Sequence, residues 1–166
     1  MRFFFLDGSA LTKRYIAEPG TPLLDSLLDH VAADRLVVLN VGFAEVVSVL
    51  ARRKNAGILS AATFSQALLH LGHEIIHAAN LRKVEATNSL VIAALIHIPN
   101  HSVNATDAIV LHAALGLAQH LRARGDDLVL VASDQRLLRA AQAEGLDTFD
   151  PEIQDQAAAL APLVGP

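Results

Sequence analysis

Arg2-Phe3-Phe4-Phe5-Leu6-Asp7-Gly8-Ser9 opens the chain with an apolar run that stops abruptly at an Asp-Gly pair. A short continuous apolar run bounded by turn residues reads as a strand, and its lack of alternation means that both faces are covered. Leu36-Val37-Val38-Leu39 and Leu128-Val129-Leu130-Val131-Ala132 have the same character, and Asp147-Thr148-Phe149 is a candidate short edge strand. Helical patterns lie between them. Ser9 can cap a first helix ending near Glu18-Pro19-Gly20, and Thr21-Pro22 is a cap-plus-proline start for a second, reaching about His30. Phe43, Val46, Val47 and Leu50 mark one face of a third, closed by Asn55 and Gly57, and Ser60 begins a fourth that carries Phe64, Leu68, Leu71 and Ile75. Three more are expected at about 86–97, 106–124 and 135–144. Strands separated by helices imply parallel pairing with right-handed crossovers. The expected architecture is α/β, a three-layer α/β/α sandwich around a central parallel sheet of four to five strands. It forms one domain over residues 1–150, with 151–166 as a tail of the same unit.

Composition narrows the function. With 52% hydrophobic and 18% charged residues, the chain has too much apolar surface to remain disordered. The absence of cysteine excludes disulfide-stapled modules, thiolate zinc sites and cysteine nucleophiles. No apolar run approaches the roughly 20 residues of a membrane span; the longest, Leu90 to Ile98, contains His97 and meets Pro99. The apolar start at Met1 is too short for a signal-peptide core, so a soluble cytoplasmic protein without membrane contact is expected. The 13 Lys and Arg against 17 Asp and Glu give a net charge of −4, so no basic excess announces a nucleic-acid binder. Any such role must be explained by the acids.

Ligands of an open parallel sheet bind beyond the carboxyl ends of its strands. Asp7 directly follows the first strand and Ser133-Asp134 follows the strand at Leu128. Glu45 is expected in the first turn of the helix after Leu39, and Asp107 opens the helix that follows the irregular stretch 99–106. Each acid has a structural reading by itself. Asp7 suits an Asx-turn or cap, and Glu45, Asp107 and Asp134 suit helix N-termini, where negative charge is favoured. Their shared rim favours a functional reading. Phe43, Ala44, Val46 and Val47 crowd Glu45 with apolar neighbours, a setting in which a carboxylate needs a cation or a proton. Four oxygen donors without a nearby thiol suit Mg²⁺ or Mn²⁺. A bound cation would reverse the sign of the pocket and attract a phosphodiester.

Four blocks in order then resemble a known family. Phe4-Phe5-Leu6-Asp7-Gly8-Ser9-Ala10-Leu11-Thr12-Lys13-Arg14-Tyr15, running to Glu18-Pro19-Gly20, resembles the opening of PIN-domain ribonucleases, and within them the VapC-like toxins of type II toxin–antitoxin pairs. Ala44-Glu45-Val46 is similar to their second acidic block and Thr106-Asp107-Ala108 to the third. Val131-Ala132-Ser133-Asp134-Gln135-Arg136-Leu137-Leu138 is similar to the fourth. Gly8 departs from the pattern, where a small hydroxyl residue is common, and so does His112, where an aliphatic residue is usual; neither departure removes an acid.

The resemblance implies that Asp7, Glu45, Asp107 and Asp134 hold one or two Mg²⁺ or Mn²⁺ ions, with Ser9 supporting Asp7. It implies an endoribonuclease that hydrolyses RNA phosphodiester bonds with a metal-activated water, leaving a 5′-phosphate and a 3′-hydroxyl. Transfer or ribosomal RNA would be the substrate, and a homodimer and a small antitoxin would be the partners. Lys13, Arg14 and Arg52, with Arg53 and Lys54, are candidates for contacting the RNA backbone; their structural alternative is ordinary solvated helix charge.

Other patterns compete. His73-Glu74-Ile75-Ile76-His77 fits H-E-x-x-H, which on a helix places two histidines on one face for Zn²⁺ with Glu74 as base of a peptidase. Its extended form is absent, since Asn80 and Lys83 stand where Gly and His are wanted. An aspartyl-phosphate phosphatase would need a nucleophilic Asp at position 5, which is Phe5. A non-catalytic α/β binding module remains an alternative, though all four acids are present. His97, His101, His112 and His120 show no coherent spacing and read as incidental.

Overall fold

Phe3, Phe4, Phe5 and Leu6 are all buried, and they divide between two cores as the two-residue period of a strand requires. Phe3 and Phe5 point to one side of the sheet, Phe4 and Leu6 to the other. In the computed structural model, which describes residues 1–153, this run is β1 (Arg2–Leu6). The remaining strands are β2 (Leu36–Leu39), β3 (Arg82–Val84), β4 (Asp127–Val131) and β5 (Asp147–Phe149). They form one five-stranded sheet in the order β3-β2-β1-β4-β5, with every pair parallel.

Helices cover both faces. On the Phe4 side lie α1 (Gly8–Leu11), α2 (Thr21–His30), α3 (Asn40–Asn55) and α4 (Ala61–Leu71). On the Phe5 side lie α5 (Asn88–Ala94), α7 (Ala105–Arg122) and α8 (Gln135–Ala143), with the short α6 (His97–His101) leading into α7. The expected three-layer α/β/α sandwich is therefore the observed fold. The chain leaves β1 toward one face and its neighbour β4 toward the other. The crevice where such crossovers part is where open α/β sheets bind their ligands. None of the described helices is long and apolar enough to cross a membrane.

Local departures from the expected elements have physical causes. Asp7, not Ser9, caps α1, and α1 ends at Leu11 instead of reaching Glu18, tightening into a 3₁₀ turn at Thr12–Arg14. Thr21 is the first residue of α2 and not its cap, because its hydroxyl is committed elsewhere: it donates to the Lys13 carbonyl and accepts from the Glu18 amide, both at 3.0 Å. Glu45 lies in the second turn of α3, which starts earlier than expected, at Asn40. The helix expected at 86–97 breaks into α5 and α6. Pro99 sits in the first turn of α6, where a missing N–H breaks no helical bond. Strand β3 carries no apolar run, since Arg82 and Lys83 are exposed at the sheet edge, and charge is a common guard for such edges. Of the expected tail, residues 154–166 lie outside the described residues.

Gly20 closes the loop before α2 with φ +89°, and a Cβ there would lie 2.7 Å from the carbonyl carbon and oxygen of Pro151. Both obstacles are backbone. Gly20→Ala is expected to destabilise the protein by about 2 kcal/mol or more, read as a lowered denaturation midpoint, while Gly116→Ala, which meets open space inside α7, is expected to be tolerated.

Candidate active site

The end of β1 is fixed first. The Asp7 amide donates to the Val131 carbonyl of β4 at 2.9 Å, which sets the two strand ends side by side. The Asp7 carboxylate accepts from the Ser9 amide at 2.9 Å and from the Ser9 hydroxyl at 2.5 Å. Ser9 Oγ in turn accepts from the Ser133 amide at 3.0 Å. Ser9 thus ties the acid after β1 to the loop after β4, as well as lying inside α1. Asp134 caps α8, with Oδ1 accepting from the amides of Arg136 and Leu137. Glu45 reaches the rim from α3 on one face. Asp107 reaches it from α7 on the other, held by the cap in which Asn104 Oδ1 accepts from the Asp107 amide at 2.9 Å.

These four side chains line one open cavity of about 490 Å³, together with Ser9, Asn104 and Arg52. Asp7 and Asp107 are buried, and Asp107 Oδ2 has no hydrogen-bond partner among the described residues. Burial followed by the charges of Asp7 and Asp107 pushes the Glu45 carboxyl up to about 7. Burial, then Asp7 and Asp134, pushes Asp107 up to about 6. Burial likewise raises Asp7, against the hydrogen bonds from Ser9 and the Gly8 amide. Such a cluster repels itself unless protons or a cation intervene. Gly8 belongs to the arrangement: a Cβ at that position would come within 2.6 Å of Glu45 Oε2 and 3.0 Å of Glu45 Cβ. The departure at Gly8 leaves room for the acid.

The donor set fits a hard divalent cation. It is all oxygen, it comes from four separate elements, and it includes a buried carboxylate oxygen with no hydrogen-bond partner among the described residues. The stability of the metal-free protein should report this. A carboxyl whose folded pKa is raised binds more protons in the native state, so its stabilising contribution is present at low pH and is lost as pH rises through the folded value. For Glu45 and Asp107 that loss begins above the ordinary carboxylate range, at about 4, and is complete once the pH has passed about 7 and about 6 respectively. In chelator, the contribution of these groups lowers the melting temperature between about pH 5 and about pH 8. Mn²⁺ should raise it clearly at the upper pH and little at the lower. Equal melting with and without Mn²⁺ at the upper pH would contradict this.

The basic candidates separate. Arg52 is exposed on α3 and lines the acid cavity. Lys13 is instead buried, paired with Glu152 at 2.6 Å and Glu18 at 3.8 Å. Arg14 is spanned by Asp25 at 2.8 Å and Glu74 at 3.1 Å, which raise its pKa further. Both are thereby tied to acids of this chain, Lys13 in a buried setting and Arg14 in a half-buried one. Arg53 pairs with Glu18, and Lys54 lies over the Phe64 ring.

The H-E-x-x-H stretch does not form the zinc geometry. Gly72–Ile76 is a π-helical turn, so the α-helical stacking of residues four apart fails there. Glu74 accepts from Arg14, and among the described residues no metal-capable group of three includes His73 or His77. The reading of His97, His101 and His112 as incidental also needs correction. His97 and His101 come together with Glu144, and His112 meets His97 at 3.1 Å. The i, i+4 spacing of His97 and His101 and the departure at His112 were the available signals.

By sequence, the chain matches no protein-family model and no curated protein. By structure it is similar to PAE2754 from Pyrobaculum aerophilum, with 20% identity, a TM-score of 0.64, and coverage of 98% of this chain and 99% of that one. FitAB bound to an IR36 DNA fragment matches at 14% identity and TM-score 0.59, covering 91% and 96%. FitAcB from Neisseria gonorrhoeae matches at 15% and 0.56, covering 90% and 98%. The fold is thus a PIN-like three-layer sandwich over nearly the whole chain.

Proposed function

We propose that this protein is a metal-dependent endoribonuclease acting as the toxin of a toxin–antitoxin pair, with Asp7, Glu45, Asp107 and Asp134 as its active-site residues. The observation that carries the reading is the meeting of these four carboxylates in one cavity at the carboxyl end of β1 and β4, with Asp107 Oδ2 buried and without a hydrogen-bond partner among the described residues. Asp7, Asp107, Glu45 and Asp134 would hold Mg²⁺ or Mn²⁺, directly or through water. When bound, the cation supplies Lewis acidity and offsets charge on the phosphate oxygens.

The chain's own residues do the rest. Ser9 fixes the orientation of the Asp7 carboxylate through two hydrogen bonds. Glu45, pushed up to about 7 by burial and by the charges of Asp7 and Asp107, is the carboxyl that a cation's charge would relieve most. Arg52 offers a cation to the phosphate on the same wall. No side-chain nucleophile is needed. Residues 1–150 carry the nuclease. A homodimer is supported by Ile92, Leu95 and Ile96, large apolar side chains exposed together around the α5–α6 corner. A small antitoxin completes the pair. FitAB, a structural neighbour, is bound to a DNA fragment.

The test is cleavage of mixed transfer and ribosomal RNA with Mg²⁺ or Mn²⁺, in the absence of antitoxin, comparing wild type with Asp7→Asn and His73→Ala. Cutting is expected to need the cation, to leave 5′-phosphate ends, to vanish in Asp7→Asn and to persist in His73→Ala. Undiminished cutting by Asp7→Asn would overturn the assignment.

A further inference from the structure

Away from the acid cavity, α6 and the C-terminal end of α8 bring together a second group of metal-ligating side chains. His97 and His101 project from one face of α6, their rings stacked with centroids 5.9 Å apart. Glu144, the residue that ends α8, reaches them from across the layer. Its Oε1 lies 2.7 Å from His101 Nε2 and 3.8 Å from His97 Nδ1. One ligand atom from each residue falls within 4.8 Å of the others. We propose that His97, His101 and Glu144 form a transition-metal site, selective for Zn²⁺ or its close neighbours and separate from the acid cavity.

Two independent observations point to a ligand there. The first is His97 Nδ1: the side chain is only 8% exposed, and this nitrogen has no hydrogen-bond partner among the described residues while facing Glu144. A buried polar atom left without a partner is uncommon and calls for an explanation. The second is the opposite edge of the same ring. His97 Nε2 meets His112 Nδ1 at 3.1 Å, so a proton on Nε2 donated to His112 leaves Nδ1 with its lone pair toward Glu144. Zinc-bound histidines are oriented in this way by a partner on their other nitrogen.

Tetrahedral ligands at zinc distances stand about 3.3 Å apart. The observed 2.7 and 3.8 Å bracket that value and the third separation is within 4.8 Å, so side-chain adjustments on the order of an ångström complete the site. Two imidazoles and one carboxylate without cysteine suit Zn²⁺ better than Mg²⁺, which favours oxygen ligands. Three protein ligands leave a fourth position for water, and a cavity of about 550 Å³ opens beside His97, His112 and Glu144. Arg122 on its wall is committed to Asp127 at 2.8 Å and to the Gly145 carbonyl at 3.0 Å. A metal here ties α6 to the end of α8. The segment from His101 to Asn104, which caps the helix carrying Asp107, then starts from a fixed point.

The test uses Zn²⁺ alone with the full chain: equilibrium dialysis with metal analysis, the absorption bands of Co²⁺ as a check on ligand geometry, and the melting temperature as a third readout. Wild type, Asp7→Asn and His73→Ala are each expected to take up one tightly held Zn²⁺ at this site and to melt higher with it. His101→Ala and Glu144→Gln are expected to lose that uptake by well over tenfold, and His112→Ala to weaken it roughly tenfold through lost orientation of His97. Glu144→Gln changes an exposed residue at a helix end, so it reports even where His101→Ala folds poorly. Absence of Zn²⁺ uptake by wild type, or uptake unchanged in both His101→Ala and Glu144→Gln, would overturn the proposal. Loss in Asp7→Asn with retention in Glu144→Gln would do the same by moving the metal to the acids.

Discussion

Asp107→Asn is expected to abolish RNA cleavage and at the same time to make the metal-free protein more stable. Asp107 is buried beside Asp7 and Asp134, its Oδ2 has no hydrogen-bond partner among the described residues, and its carboxyl is pushed up to about 6. Keeping that group ionised at neutral pH opposes folding by on the order of 3 kcal/mol. An amide removes the charge but still has to be desolvated, so the net gain is on the order of 1 kcal/mol, or about 2–4 °C in melting temperature for a chain of this size. Activity moves the other way. Loss of a group that merely orients a metal ligand already costs about 10–100-fold, and loss of a ligand costs more. Melting in chelator beside cleavage with Mn²⁺ checks both signs. A destabilised, inactive Asp107→Asn would show that the carboxylate serves the fold and not a cation.

Phe5→Ala is expected to cost about 3–5 kcal/mol, a large share of the roughly 5–15 kcal/mol that holds a domain folded. Phe5 is fully buried in β1, the central strand between β2 and β4, in the core shared with α7 and α8. Its side chain stands out of the sheet, so the void opens between the layers, and the parallel ladders on both sides keep β1 from moving into it. Urea denaturation should show a much lower midpoint with little change in slope. Leu69→Ala, at a position 68% exposed, is expected to stay within about 0.5 kcal/mol of wild type. A Phe5→Ala loss as small as that of Leu69→Ala would refute the central-strand packing.

These two residues also show what the sequence discloses. Phe5 was legible because a strand covered on both faces has to be apolar at every position, and β2 and β4 obey the same rule. Strand β3 was not, because an edge strand of Arg82, Lys83 and Val84 has charge where the others have aliphatic side chains. The acids were placed on one rim because strand ends and helix starts can be read locally. Their burial and mutual repulsion come from packing α3 and α7 over the same strand ends, which no local pattern encodes. The same limit misled the reading of Lys13 and Arg14. Their acidic partners Glu152 and Glu74 lie far along the chain, so side chains that looked solvated are tied down by contacts formed only on folding. His97 and Glu144 were missed for this reason too, being brought together by the packing of separate helices.

If the four carboxylates form one divalent-cation site, anomalous scattering from crystals soaked in Mn²⁺ is expected to show a peak within coordination distance of Asp7 and Asp107, bordered by Glu45 and Asp134. That peak is expected to disappear in Asp107→Asn. An empty rim in crystals that take up Mn²⁺ elsewhere would contradict it.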